Sequence, residues 1–147
     1  MTIIEVIKNK KQFLSLLLLA DEQENMIDRY LEKGTMYVLD DNGVKAECVV
    51  TDEGDGILEI KNIATVPEYQ GKGYAKALID FLVNEYAYKY SVLQVGTGDS
   101  PLTVPFYEKC GFVRSHIIPN FFTNNYDHPI FECGVKLTDM VIFQRNL

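Results

Sequence analysis

The stretch YQGKGYAKAL, Tyr69 to Leu78, sets two glycines and a lysine at the front of a segment with helical periodicity, the make-up of a loop that holds phosphate. Three phosphate chemistries use such loops, and spacing separates them. A nucleoside-triphosphate loop needs GxxxxGK[ST], but Lys72 lies between Gly71 and Gly73, and Tyr74 stands where a hydroxyl should reach magnesium. A dinucleotide fingerprint needs GxGxxG and fails at Lys76. What remains is Q-x-x-G-x-A, Gln70, Gly73 and Ala75, at a strand-to-helix junction. Small residues there let successive backbone N–H groups approach a pyrophosphate at the positive end of a helix. A diphosphate-bearing cofactor fits; a plain glycine turn is the structural alternative.

Metal chemistry has weaker support. Cys48, Cys110 and Cys133 are odd in number and fit neither a disulfide framework nor a CxxC clip. Together with His116 and His128 they match no zinc spacing, so they read as reduced thiols and loop imidazoles, and no metal is expected.

The elements that must position the loop follow from periodicity. Thr2 to Ile7 reads as a first strand. Apolar residues from Lys11 to Glu32 recur at helical spacing, with DEQEN breaking them into two helices and Gly34 stopping the second. Met36 to Leu39 and Lys45 to Thr51 flank DDNG, a hairpin signal, and a DEGDG turn leads into the longer strand Ile57 to Val66. Ala75 to Tyr88 is an amphipathic helix followed by a strand, Val92 to Val95, which implies a parallel crossover. A short helix over Ser100 to Cys110 can begin only near Thr103 because of Pro105, and Gly111 caps it before a strand opening at Phe112. From Ser115 to Thr138 the pattern dissolves into an aromatic and Asn-rich connection, of a length that usually serves function, before a last strand from Met140.

A chain of 147 residues makes about one domain. No linker, repeat or low-complexity block divides it, so residues 1–147 are read as one unit. The balance of 14 basic and 21 acidic residues, net −7, argues against nucleic acid as a partner and favours cationic ones. No apolar run approaches the roughly 20 residues that cross a bilayer, and the N-terminus lacks the apolar core of a signal peptide, so a cytoplasmic protein without membrane attachment is expected.

IATVPEYQGKGYAKAL followed by FYEKCGF resembles the GNAT superfamily of N-acetyltransferases, whose pyrophosphate loop reads [QR]-x-x-G-x-[GA] and whose later helix commonly ends Y-x-K-x-G-F. The element order is similar along the whole chain, and the tail NFFTNNYDHPIFECGVKLTDMVIF resembles a subgroup of small bacterial members. The resemblance implies an α/β (α+β) single-domain GNAT-like fold: a mixed central sheet flanked by helices, with a parallel strand pair splayed around the cofactor. It implies acetyl-CoA as acetyl donor, with pyrophosphate on the backbone of Gln70, Gly71, Lys72, Gly73, Tyr74 and Ala75. The pantetheine arm would pair like an extra strand with Ile63, Ala64, Thr65 and Val66.

Acetylating an amine requires a neutral nitrogen, and an alkylamine has a pKa of about 10.4, so a base or a water chain is needed. Glu59 lies eleven residues before Gln70, the offset of the general-base glutamate in the histone-acetylating branch that the chain resembles. Strand alternation would put it on one face with Lys61 and Ile63, where a surface pair with Lys61 is the competing role. Glu132 and Asp139 are alternates. Tyr107 matches the tyrosine that many relatives set against the departing thiolate, and packing on Phe112 is its structural alternative. Where relatives carry an asparagine the sequence reads GDSP, and Ser100 is the expected cofactor contact because Asp99 would repel phosphates. The expected function is acetyl transfer from acetyl-CoA to a primary amine of a small molecule or peptide. The alternatives are a catalytically inactive acyl-CoA-binding regulatory module and a structural dimerisation protein. His116, Phe121, Phe122, Tyr126, Asp127, His128 and Glu132 either wall an amine pocket or build a homodimer interface.

Overall fold

Tight turns decide the first half of the sheet. A computed structural model describes residues 1–147. Asn42 and Gly43 take φ of 56° and 108°, the left-handed backbone that an Asn-Gly step adopts readily, and join β2 (Thr35–Asp40) to β3 (Val44–Asp52) as a hairpin. Asp55 and Gly56 turn the chain in the same way into β4 (Ile57–Thr65). β1 (Thr2–Val6) pairs antiparallel with β2.

The chain then crosses through α3 (Tyr74–Tyr86) to β5 (Val92–Gly98), parallel to β4. α4 (Val104–Lys109) begins after Thr103, with Pro105 in its first turn where no N–H is needed, and Gly111 at φ 89° releases the chain into β6 (Val113–Ile118). β9 (Met140–Asn146) inserts between β5 and β6, giving a seven-stranded mixed sheet in the order β1-β2-β3-β4-β5-β9-β6. This is the fold that the sequence leads one to expect.

Both faces are covered, so β2 alternates between two cores instead of between core and water. Tyr37 and Leu39 join Leu78, Ile79 and Leu82 of α3 and Tyr107 of α4, while Met36 and Val38 pack with Leu17 of α1 (Leu14–Ala20) and Ile27 of α2 (Glu24–Ile27).

Two departures stand out. The second helix stops after one turn instead of continuing to Glu32: the chain tightens to i→i−3 bonds, Arg29 N–H to the Met26 carbonyl at 3.2 Å and Tyr30 N–H to that of Ile27 at 3.1 Å, and beyond them the buried Lys10 ammonium donates to the carbonyls of Leu31, Glu32 and Gly34 at 2.9, 3.3 and 2.8 Å. The connection over residues 115–138 contains more than β6. It adds α5 (Phe121–Asn125) and a small hairpin of β7 (Phe131–Glu132) and β8 (Val135–Lys136), which turns at Cys133 and Gly134. Phe122, Ile130 and Leu137 form a third, small core there.

Candidate active site

The parallel pair closes over only four residue pairs, Ile57 to Ile60 against Val92 to Val95. Beyond them β4 follows β3 to Thr65 and β5 follows β9 to Gly98, so the two strands separate. A β-bulge accompanies the parting: Val49 faces Asn62 and Val50 faces Ile60, leaving Lys61 as an extra residue in β4. On the other side, Gly98 lets Leu137 lie against β5, since a β-carbon there would come within 2.5 Å of Leu137 Cδ1. The opening is a cleft of about 1400 Å³ running from the loop before α3 to α5 and the β7–β8 hairpin.

One end of the cleft is a cradle of main-chain donors. Gly71 and Gly73 have φ of 80° and 88°, a backbone closed to most side chains, and Gly73 caps α3 without a side-chain hydrogen bond. The N–H groups from Gly71 to Lys76 find no acceptor in the fold, the first intrahelical bond being Ala77 N–H to the Gly73 carbonyl at 3.0 Å. Consecutive free donors at the positive end of a thirteen-residue helix suit a pyrophosphate. Gln70, Gly71, Gly73, Tyr74 and Ala75 line the cleft, as do Ile63, Ala64 and Thr65 on the strand edge that β5 leaves free.

Val66, Lys72 and Ser100 do not line it. Lys72 lies over the Tyr69 ring, 5.3 Å from its centroid. The Ser100 hydroxyl donates to Glu132 at 2.8 Å and accepts from Leu102 N–H at 3.2 Å, which holds it inside the loop before α4. Asp99 pairs with Arg114 at 3.0 Å.

Glu59 and Tyr107 both open on this cleft. Glu59 is nearly buried. One carboxylate oxygen accepts from Gln94 Nε2 at 2.5 Å and the other pairs with Lys61 Nζ at 2.5 Å, while Gln144 in turn holds Gln94 at 2.7 Å. The expected partnership with Lys61 therefore exists, but Ile63 is on the opposite face. The bulge breaks the alternation, so Ile60 and Ile63 both pack toward α3, whereas Asn62 donates to the Leu17 carbonyl beneath α1 at 3.0 Å. The Tyr107 ring packs edge-on against Phe112 with centroids 5.7 Å apart, and its hydroxyl makes no hydrogen bond within the protein. Burial pushes the phenol well above its ordinary value, with smaller contributions from Cys110 and Glu132. Of the alternates, Glu132 lines the cleft; Asp139 does not, and accepts from Asn120 N–H at 2.8 Å. No three His, Cys, Asp or Glu side chains gather as a metal site.

A sequence model of the acetyltransferase (GNAT) domain matches residues 32–114, the stretch from the turn before β2 into β6. An uncharacterized N-acetyltransferase of Bacillus subtilis, YvbK, is 34% identical over 133 residues, covering 88% of this chain and 86% of its own. The chain belongs to the GNAT family. A GNAT acetyltransferase from Elizabethkingia anophelis, solved with acetyl-CoA bound, superposes with a TM-score of 0.93 at 34% identity over 99% of this chain and 97% of its own. A Bacillus subtilis acetyltransferase solved with CoA gives 0.88 at 32% identity over 99% and 97% of the two chains. The protein is thus an acetyl-CoA-dependent acetyltransferase.

The far end of the GNAT cleft is walled by the connection over residues 115–138 and by the loop after α1. His116, Phe121, Phe122, Tyr126 and Glu132 line it, whereas Asp127 and His128 lie outside, paired with each other, and His128 also meets Glu22 at 2.8 Å. Sequence reasoning misses Asp21, Tyr30 and Asn62. The Asp21 carboxylate accepts the Tyr30 hydroxyl at 2.9 Å and the Tyr126 hydroxyl at 2.7 Å, and Asn62 Nδ2 donates to the Tyr30 oxygen at 3.1 Å. Burial raises the Asp21 carboxyl above its ordinary value, and the two tyrosine hydrogen bonds oppose that rise.

Proposed function

We propose that this protein acetylates a primary amine of a small molecule or an exposed peptide, with Glu59 taking a proton from the amine and Tyr107 donating a hydrogen bond to the departing sulfur. The observation carrying the reading is that both side chains open on one cleft, at the point where β4 and β5 part. When bound, acetyl-CoA supplies the acetyl group as a thioester.

Glu59 retains lone pairs beyond those used by Gln94 and Lys61, so it can accept the proton an incoming ammonium must shed, directly or through water. The amine nitrogen then forms the amide bond as the carbon–sulfur bond breaks and its electron pair leaves on sulfur, and the second proton that the nitrogen must shed passes to water. Tyr107 donates a hydrogen bond to that sulfur. With its acidity weakened by burial, the phenol is a poor source of a whole proton against a thiol of about 8.5, and the thiolate takes its proton from water. The cradle at Gln70 to Ala75 and the edge of Ile63, Ala64 and Thr65 hold the donor. No helix is long and apolar enough to cross a membrane, and the three free thiols suit a cytoplasmic setting.

The test is CoA release from acetyl-CoA across a chemically varied panel of amines. Turnover with at least one amine above the rate of donor hydrolysis is expected; tight CoA binding without turnover on any amine would leave a binding module.

A further inference from the structure

The acceptor end of the cleft contains a carboxylate that the fold solvates with neutral groups only. Of the cleft's acids, Glu59 and Glu53 share Lys61 and Glu22 meets His128. Glu132 takes the Ser100 hydroxyl. Asp21 has no cationic partner, yet both its oxygens are fixed, by tyrosines from opposite ends of the chain, and the Tyr30 oxygen is itself held by Asn62 from β4. Four separate segments therefore aim one half-buried carboxylate at the cleft.

An ionised carboxylate withdrawn from water and left without a counter-ion gains from a cation that reaches it. The surroundings suit an organic one. Phe121, Phe122 and Tyr126 line the same wall, with Phe122 and Tyr126 stacked at 5.7 Å, and ring faces attract alkylammonium groups. Arg29 and Lys33 also reach this end, but both are exposed at the rim, and Arg29 is bound to Asn125 at 3.1 Å rather than to Asp21.

We propose that Asp21 anchors a second positive charge on the acceptor, so that the preferred substrate is an amine bearing a further ammonium or guanidinium group at a distance from the nitrogen that is acetylated. The inference rests on the acetyltransferase reading and on Glu59 marking the reacting end. From Glu59 to Asn62 the strand advances three residues, on the order of 10 Å before the bulge shortens it, and Asn62 and Asp21 share the Tyr30 hydroxyl. The two charges of a fitting acceptor are therefore separated by a linker of several atoms.

Steady-state kinetics with straight-chain diamines and monoamines of matched length test this. The wild-type protein should prefer the diamine in kcat/KM. Asp21→Asn, which keeps the shape and the oxygen that accepts a tyrosine hydroxyl, should cut the diamine-to-monoamine ratio by about 10-fold or more, chiefly through KM. A second measurement needs no variant: a bis-quaternary alkane, which cannot be acetylated, should compete with the amine substrate more strongly than the mono-quaternary alkane of equal length. An unchanged ratio in Asp21→Asn, or equal inhibition by the two quaternary compounds, overturns the proposal. Absence of CoA release with every amine would instead overturn the acetyltransferase reading beneath it.

Discussion

Tyr107 is a weaker acid in this fold than tyrosine is in water, and that narrows the role proposed for it to donating a hydrogen bond. Phenylalanine keeps the ring that packs on Phe112 and removes only the hydroxyl, which has no other partner. Tyr107→Phe should therefore remain folded and lose about 1.5–3 kcal/mol of transition-state stabilisation, roughly 10- to 150-fold in turnover, with acetyl-CoA affinity nearly unchanged. Single-turnover and steady-state rates of the folded variant check this; wild-type rates with chemistry rate-limiting would leave Tyr107 as packing. Glu59→Gln should lower kcat/KM by about 10²- to 10⁴-fold near neutral pH and recover part of it at higher pH, where more of the amine is already neutral. A pH–rate profile parallel to the wild type would remove Glu59 as base. Tyr107 was legible because FYEKCGF marks it locally. Asp21 was not: within DEQEN it reads as a polar break between helices, and its partner Tyr126 is 105 residues away.

Among the elements, the loop before α3 was readable from sequence since glycine spacing states its backbone directly. An aspartate at Gly73 adds a carboxylate beside the row of free N–H groups while occupying a left-handed position that aspartate tolerates better than most residues. Gly73→Asp should weaken CoA binding by about 10-fold or more by charge repulsion, with the helical signal retained. Calorimetry on the folded variant decides it, and undiminished affinity would take the loop out of the site. The bulge at Lys61 had no such signature, because it is a property of how β3 and β4 pair and not of either strand. A strict period of two therefore put Ile63 on the wrong face. The turns that replace the rest of the second helix had no local signature either: the lysine that holds the carbonyls of Leu31, Glu32 and Gly34 comes from before α1. Over residues 115–138, strands of two residues and a five-residue helix are too short for any period to register.

For the molecule as a whole, pH sensitivity traces to an interior acid. Glu47 is fully buried on β3, neither carboxyl oxygen has a partner, and burial raises it well above its ordinary 4.5. The folded chain thus keeps that proton while the unfolded chain loses it, so this group's contribution is complete below about pH 4.5 and declines as pH rises toward the folded value. Glu47→Gln, neutral at every pH, should match the wild type near pH 4 and exceed it progressively above pH 5, by at most about 1.4 kcal/mol per pH unit. Denaturant midpoints across pH 4–8 measure it, and a constant difference would show that Glu47 does not titrate on unfolding. The gap between β4 and β5 has a consequence for turnover of the protein itself. A ligand that fills the gap binds the native chain and not the unfolded one, adding about 2.7 kcal/mol at a hundred times its dissociation constant. Proteases that take the unfolded chain would then meet it more often when acetyl-CoA is scarce, making nutritional state a determinant of how long each copy survives.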